Sequence, residues 1–278
     1  MSLLGQAAAI YRKEGYKALI EKITSYIKKQ IYIWFVSVRG TQTIRVGENQ
    51  IVVLTPTKRM VARNLSRVNS EKEEIGEFIE EIRSEDIVYD IGANTGLYSL
   101  FAANQCTKGA VIAFEPYPPN STILKDNVDQ NNISNIEILE IALSDSNGEI
   151  EFQQPVKDDV GYGSAAITPQ ESTDSIKIPT TTGDQLVSKR GIPYPNVVKI
   201  DVEGAESLVI NGLEECLSST ACRLVFCEVH LPGNDHRPSI EDFGSTQKQI
   251  VNQLERLGFS VEQLGSERES EIFYKAYK

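Results

Sequence analysis

Two hydrophobic rhythms divide this chain. From residue 1 to about 38, apolar positions recur near helical spacing, marked by Ile10, Tyr11, Leu19, Ile20, Ile23, Ile27 and Ile31, and they predict a helix. Residues 42–46 and 50–54, either side of Gly47, Glu48 and Asn49, predict a β-hairpin. Arg59, Arg63 and Arg67 then follow at four-residue intervals, which reads first as a solvated helix face and second as a substrate-binding one. The span Glu71 to Arg83 predicts an amphipathic helix whose buried stripe is Ile75, Phe78, Ile79 and Ile82.

From residue 87 the rhythm changes. Strand-like runs at 87–91, 110–114, 136–142, 196–200 and 223–229 alternate with helix-like segments. Such alternation implies an α/β fold with a doubly wound, mostly parallel sheet, because parallel strands need long crossovers. A helix around 243–257 follows. Strands near 259–264 and 271–277, separated by Gly265 to Ser270, predict a closing hairpin and hence one antiparallel strand. The stretch 155–182, rich in Gly, Ser, Thr and Pro, predicts a loop with one or two short strands. Two regions are expected: a helix-and-hairpin extension over 1–70 and an α/β domain over 71–278.

The junction Asp90-Ile-Gly-Ala-Asn-Thr-Gly96 closes the first of these strands and opens a helix. In open α/β sheets this is where nucleotide-like cofactors sit. A dinucleotide site offers a helix N-terminus to a pyrophosphate, which a carboxylate at the strand end would repel. S-adenosylmethionine brings an ammonium, a sulfonium and a ribose but no phosphate, so Asp90 suits it. Glu115 stands at the end of the next strand, 25 residues on, where it can accept ribose hydroxyls. NAD enzymes use the same device, so Glu115 by itself points to an adenosine cofactor of either kind. In the helix that follows, Asn127 and Asn131 face either a partner loop or solvent.

Two later junctions concentrate charge. Lys199, Asp201 and Glu203 lie on one side of an extended run that leads into a helix carrying Glu206. The plain alternative is a surface ion-pair cluster. Glu228 and His230, two apart on the last parallel run, point the same way if that strand is regular.

Composition narrows the partners. A net charge of −11 argues against nucleic acid, which wants a basic surface. Cys106, Cys216, Cys222 and Cys227 show no Cys-x-x-Cys spacing and predict buried thiols in a reducing cytoplasm. With only two histidines, most histidine-rich metal sites are excluded. The apolar run Ile31 to Val38 is too short to cross a bilayer. Flanked by Lys28, Lys29 and Arg39, it marks residues 28–39 as a peripheral membrane or partner contact, unless it merely covers an edge of the core domain.

With these junctions in hand, the chain resembles the FkbM-type family of class I S-adenosylmethionine-dependent methyltransferases over roughly residues 71 to 277. The resemblance is carried by Asp90 to Gly96, Phe114-Glu-Pro116, Ala142-Leu-Ser-Asp145 and Lys199-Ile-Asp-Val-Glu-Gly-Ala-Glu206. It implies a seven-stranded Rossmann-like sheet with a reversed last strand, and methyl transfer to a hydroxyl of a sugar, polyketide or other small metabolite. It further implies that Asp90, Gly92, Asn94 and Gly96 cradle the methionine end of the cofactor and that Glu115 holds the ribose. Ala142, Leu143 and Ser144 would lie near the adenine, and Asp201 near the point of transfer. The family likeness leaves the base open. Strand-end placement points to His230, with Glu228 orienting it and Lys199 and Asp201 beside the acceptor. A metal held by Asp201 and Glu203 is the lesser alternative, because a third oxygen ligand beside them is not evident in the spacing. Two other classes stay open: an NAD-dependent oxidoreductase, and an inert cofactor-binding module docked through its N-terminal helix.

Overall fold

A computed structural model describes residues 3–153, 166–167, 175–233, 237–268 and 270–278. Its contacts fall into two units, Met1–Thr43 with Val53–Ser70, and Ile44–Val52 with Glu71–Lys278.

The first unit contains helix α1, Leu3–Arg39, which is interrupted at Gly15 (φ 83°), and helix α2, Lys58–Ser70. Ile33 and Val36 of α1 pack on Val61 of α2. Arg59 is exposed and Arg63 and Arg67 are half-buried, and each takes part in an interaction of its side chain or backbone. Strands β1, Thr41–Val46, and β2, Asn49–Leu54, form the expected hairpin, and its tip belongs to the second unit. There the Asn131 side chain accepts from Val52 N–H and donates to Val52 C=O, at 2.8 and 2.6 Å. Asn127 donates to Thr95 C=O at 2.8 Å. Both asparagines are therefore structural ties.

In the second unit, helix α3 (Lys72–Glu81) precedes strand β3 (Ile87–Ile91), helix α4 (Leu97–Gln105), strand β4 (Ala110–Phe114), helix α5 (Pro118–Gln130) and strand β5 (Ile136–Leu139). Strands β6 (Ala142–Leu143), β7 (Gly148–Gln153), β8 (Ala166–Ile167) and β9 (Ser175–Thr181) build a small second sheet. Helix α6 (Gly183–Gln185) leads to strand β10 (Val197–Ile200), helices α7 (Glu206–Asn211) and α8 (Glu214–Ser218), and strand β11 (Leu224–His230). Helix α9 (Gln247–Arg256) and strands β12 (Ser260–Arg268) and β13 (Glu271–Tyr277) complete the chain.

The main sheet has seven strands in the order β12-β13-β11-β10-β3-β4-β5. Pairs from β5 to β11 run parallel, while β13 runs antiparallel between β11 and β12. The chain leaves β3 toward β4 on one side and later places β10 on the other. That makes β3/β10 the switch point, the place where open sheets leave a crevice at the strand C-termini. Apolar side chains fill both faces: Phe78 packs edge-on against Tyr98 and Phe226 on one, and Tyr89 against Phe114 on the other. All four cysteines are buried free thiols.

The run 136–142 is not one strand. It ends at Leu139, and Ala142–Leu143 pair instead with Thr180–Thr181 of β9. A strand-like pattern interrupted only by Glu137 and Glu140 does not reveal that the chain changes partners midway. Much of 155–182 lies outside the described residues.

Glycine matters most at Gly92, where φ is +81° and an added Cβ would lie 1.8 Å from Asp201 C=O. Gly92→Ala should cost about 2–4 kcal/mol in urea unfolding, combining left-handed strain with a backbone clash. Gly47→Ala, also at positive φ but with open space around it, should cost only about 1 kcal/mol.

Candidate active site

The site grows from the C-terminal ends of three adjacent strands. Register pairs Lys199 of β10 with Asp90 of β3 and with Phe226 of β11, so a lysine sits in the middle of a fully buried strand. Its ammonium reaches Asp201 at 3.0 Å and Asp90 at 3.8 Å and stands 4.5 Å from the centre of the Tyr98 ring. Asp90 accepts from Ser99 Oγ at 2.5 Å through Oδ2. Its Oδ1 is buried without a hydrogen bond among the described residues. The Lys199 ammonium, 3.8 Å away, faces that oxygen without hydrogen-bonding it, so it can still accept from a donor.

Glu115 closes the next strand. One oxygen accepts from Asn94 N–H at 2.7 Å, and the other from Tyr117 N–H at 2.9 Å and Asn120 Nδ2 at 3.4 Å. A carboxylate offers about four acceptor directions, so three are used. Two hydroxyls could be held together only if the long Asn120 contact yields. Burial pushes the Glu115 carboxyl up to about 7 despite those donors. Asn94 itself lies at φ 52°, its N–H turned toward Glu115 and its side chain accepting from Thr95 N–H. Gly92 and Ala93 both donate to Phe114 C=O, and Gly96, at φ +91°, begins α4 against Leu124. Ala142, Leu143 and Ser144 are buried, with Ser144 N–H bonded to Thr181 C=O. Ala142 belongs to an apolar cluster with Tyr117, Phe152 and Ala205.

His230 meets three carboxylates. Nδ1 lies 2.6 Å from Glu206 Oε1, while Nε2 faces Glu203 at 3.4 Å and Asp201 at 3.7 Å. Burial would lower its proton affinity, but the carboxylates of Glu203 and Glu206 outweigh that and push it up to about 10. The orienting partner is thus Glu206, not Glu228. Glu228 is near, within 4.8 Å of His230 and Glu271 by its closest ligand atom, yet its hydrogen bond comes from Arg268. Burial, then Asp201 and Glu71, raise the Glu228 carboxyl well above its usual range.

Alternation put Lys199, Asp201 and Glu203 on one side and Glu228 with His230 on one side; the structure brings Lys199 to Asp201, and Asp201 and Glu203 to His230. Alternation missed Glu206, which reaches the histidine from α7, and Arg237, which pairs with Glu203 at 3.3 Å and Glu271 at 2.7 Å. Asp201, Glu203 and His230 have metal-ligand spacing. Lys199 and Arg237 already neutralise the two acids, however, and the histidine would have to lose a tightly held proton, so the donor set favours an ion-pair network.

Residues 90–261 match the family model described as the methyltransferase FkbM domain. The chain belongs to the FkbM methyltransferase family. It is 35% identical over 165 residues to the hexuronic acid methyltransferase AglP of Haloferax volcanii, an alignment covering 59% of this chain and 64% of that protein. The similarity thus spans just under two thirds of that relative's length. It is 27% identical over 178 residues to the 31-O-demethyl-FK506 methyltransferase FkbM of Streptomyces tacrolimicus, covering 54% and 67% respectively. A crystal structure of an S-adenosylmethionine-dependent methyltransferase from Agrobacterium tumefaciens shares the fold at 9% identity, with a TM-score of 0.50 over 86% of this chain and 70% of that one.

His230 carries a proton in the folded protein up to about pH 10 but only to about 6.5 at its ordinary value. Its stabilising contribution is therefore complete below pH 6.5 and is lost as pH climbs toward 10. The stability difference between wild type and His230→Gln, from urea unfolding, should shrink over that window. A difference that grows with pH would contradict the imidazolium.

Proposed function

We propose that this chain is an S-adenosylmethionine-dependent O-methyltransferase acting on a hydroxyl of a sugar, a glycan or another small metabolite. The observation that carries the reading is the pair of buried carboxylates, Asp90 with one oxygen that accepts no hydrogen bond among the described residues and Glu115, at the ends of β3 and β4 beside the switch point. A cationic, phosphate-free nucleoside fits two carboxylates and a pyrophosphate does not. This weighs against the NAD reading. The inert-module reading has no need of the Lys199–Asp201–His230 convergence.

Asp90 and the turn to Gly96 would hold the methionine end, Glu115 the ribose, and Ala142 to Ser144 the surroundings of the adenine. When bound, the cofactor supplies a sulfonium methyl group that is already activated. The chain has then to orient the acceptor oxygen and take its proton. Asp201, held by Lys199, faces that side. Because the carboxylates of Glu203 and Glu206 hold a proton on His230, the acceptor proton would pass to a carboxylate beside it, and burial raises the proton affinity of Glu203. A sugar acceptor is favoured by the likeness to a hexuronic acid methyltransferase.

Calorimetry should detect S-adenosylmethionine binding and no binding of NAD. Hydroxyl donors favour ionised Glu115, so affinity should rise as pH passes through about 7, while Glu115→Gln should bind roughly tenfold more weakly with that dependence removed. With labelled cofactor and a panel of uronic acids and neutral sugars, Asp201→Asn and His230→Gln should lower turnover roughly 10²–10⁴-fold and leave cofactor binding largely intact. Near-normal turnover in both would end the assignment.

A further inference from the structure

The charge of the chain is sharply divided. The first unit holds eleven Lys and Arg against two Asp and Glu, and the second holds 17 against 37. The opposite signs offset one another in the whole-chain total, which taken alone argues against an anionic partner.

The basic unit also carries the exposed apolar surface. Ile20, Ile23, Ile27, Ile31, Trp34 and Val38 are all exposed, Trp34 by 54% and Val38 by 69%. Their spacings of three and four residues place them within an arc of about 80° over about 27 Å of α1. Ile33 and Val36 point the other way and are the residues that pack on α2. So α1 has two apolar faces, one used within its unit and one bare. A bare stripe of this length is far beyond the scattered apolar residues of an ordinary surface. Lys17 and Lys28 flank it, while Lys22 is turned away to Glu14 at 2.8 Å. Tyr16, Tyr26 and Tyr32 are exposed beside it, and tyrosine and tryptophan prefer the level of lipid headgroups.

We propose that α1 lies in the plane of an anionic lipid bilayer, its isoleucine–tryptophan stripe in the acyl boundary and its lysines at the headgroups. No helix among the described residues is long and apolar enough to cross a membrane, so the mode is interfacial. The rival occupant is a second copy of α1, since three-four spacing also suits a helix pair. Charge decides between them. From residue 12 to 39 the helix carries seven Lys and Arg and two Glu, so two copies would bring like charges together with too few acids at the flanks to offset them. Anionic headgroups complement the same lysines, at about a fivefold gain in binding for each one near the surface.

The test is co-sedimentation of the whole chain with vesicles of phosphatidylcholine alone and of phosphatidylcholine with phosphatidylglycerol, at low and high salt. Binding should require the anionic lipid and weaken with salt. Ile31→Ser with Trp34→Ser should abolish it, and Lys17→Gln with Lys28→Gln should weaken it roughly 25-fold, two steps of the per-lysine gain. Cofactor binding and the thermal midpoint of the main transition serve as folding controls and should not move in either variant. Failure to sediment with both vesicle types overturns the proposal. So does equal, salt-independent binding to neutral vesicles, or a dimer in sedimentation velocity that the Ile31/Trp34 variant dissolves.

Discussion

One buried ammonium organises the centre of this protein. Lys199 occupies a strand position where every neighbour on β10 is apolar, and it is 1% exposed. A lone charge in such a place would be expelled or would lose its proton. It stays because Asp90 and Asp201 flank it and the Tyr98 ring presents its face. The dependence runs both ways. Without Lys199 two carboxylates would meet at the ends of neighbouring strands with no cation between them.

From that point the charges alternate outward. Asp201 links Lys199 to the Nε2 side of His230, Glu206 holds Nδ1, and Glu203 passes on to Arg237 and so to Glu271. Gly204 donates its N–H to Glu206 at 2.9 Å, and the turn Glu203–Gly204 is left-handed, which lets β10 swing into α7 within a few residues. The same short turn therefore delivers three acids to one histidine. Across β3, Asp90 and Glu115 stand at the ends of neighbouring strands, the side to which the proposed function assigns the cofactor. In that reading the Lys199–Asp90 contact would join cofactor capture to acceptor chemistry.

Much of this was legible in the chain because strand alternation and strand-end acids are local patterns. Asp90, Glu115, Lys199, Asp201 and His230 all declare themselves by position on apolar runs. The hairpin that reverses β13 is legible from two apolar runs split by a polar turn. Glu206 was visible as an acid on the next helix, but its pairing with His230 depends on how α7 is rotated, which no spacing encodes. Arg237 and Arg268 reach their acids from distant segments and leave no local trace. The break at Leu139 is hidden for a related reason: Ile136-Glu-Ile-Leu-Glu-Ile-Ala142 keeps one strand-like pattern, whether it pairs with one sheet or two.

The central claim is that Lys199 and Asp201 stabilise each other as buried charges. A double-mutant cycle of Lys199→Met and Asp201→Asn, read by urea unfolding, addresses it directly. Each single change should cost about 3–5 kcal/mol, and the double variant should recover a coupling of at least about 2 kcal/mol. Costs that simply add, to within about 0.5 kcal/mol, would show that the two charges are held independently and would contradict the account.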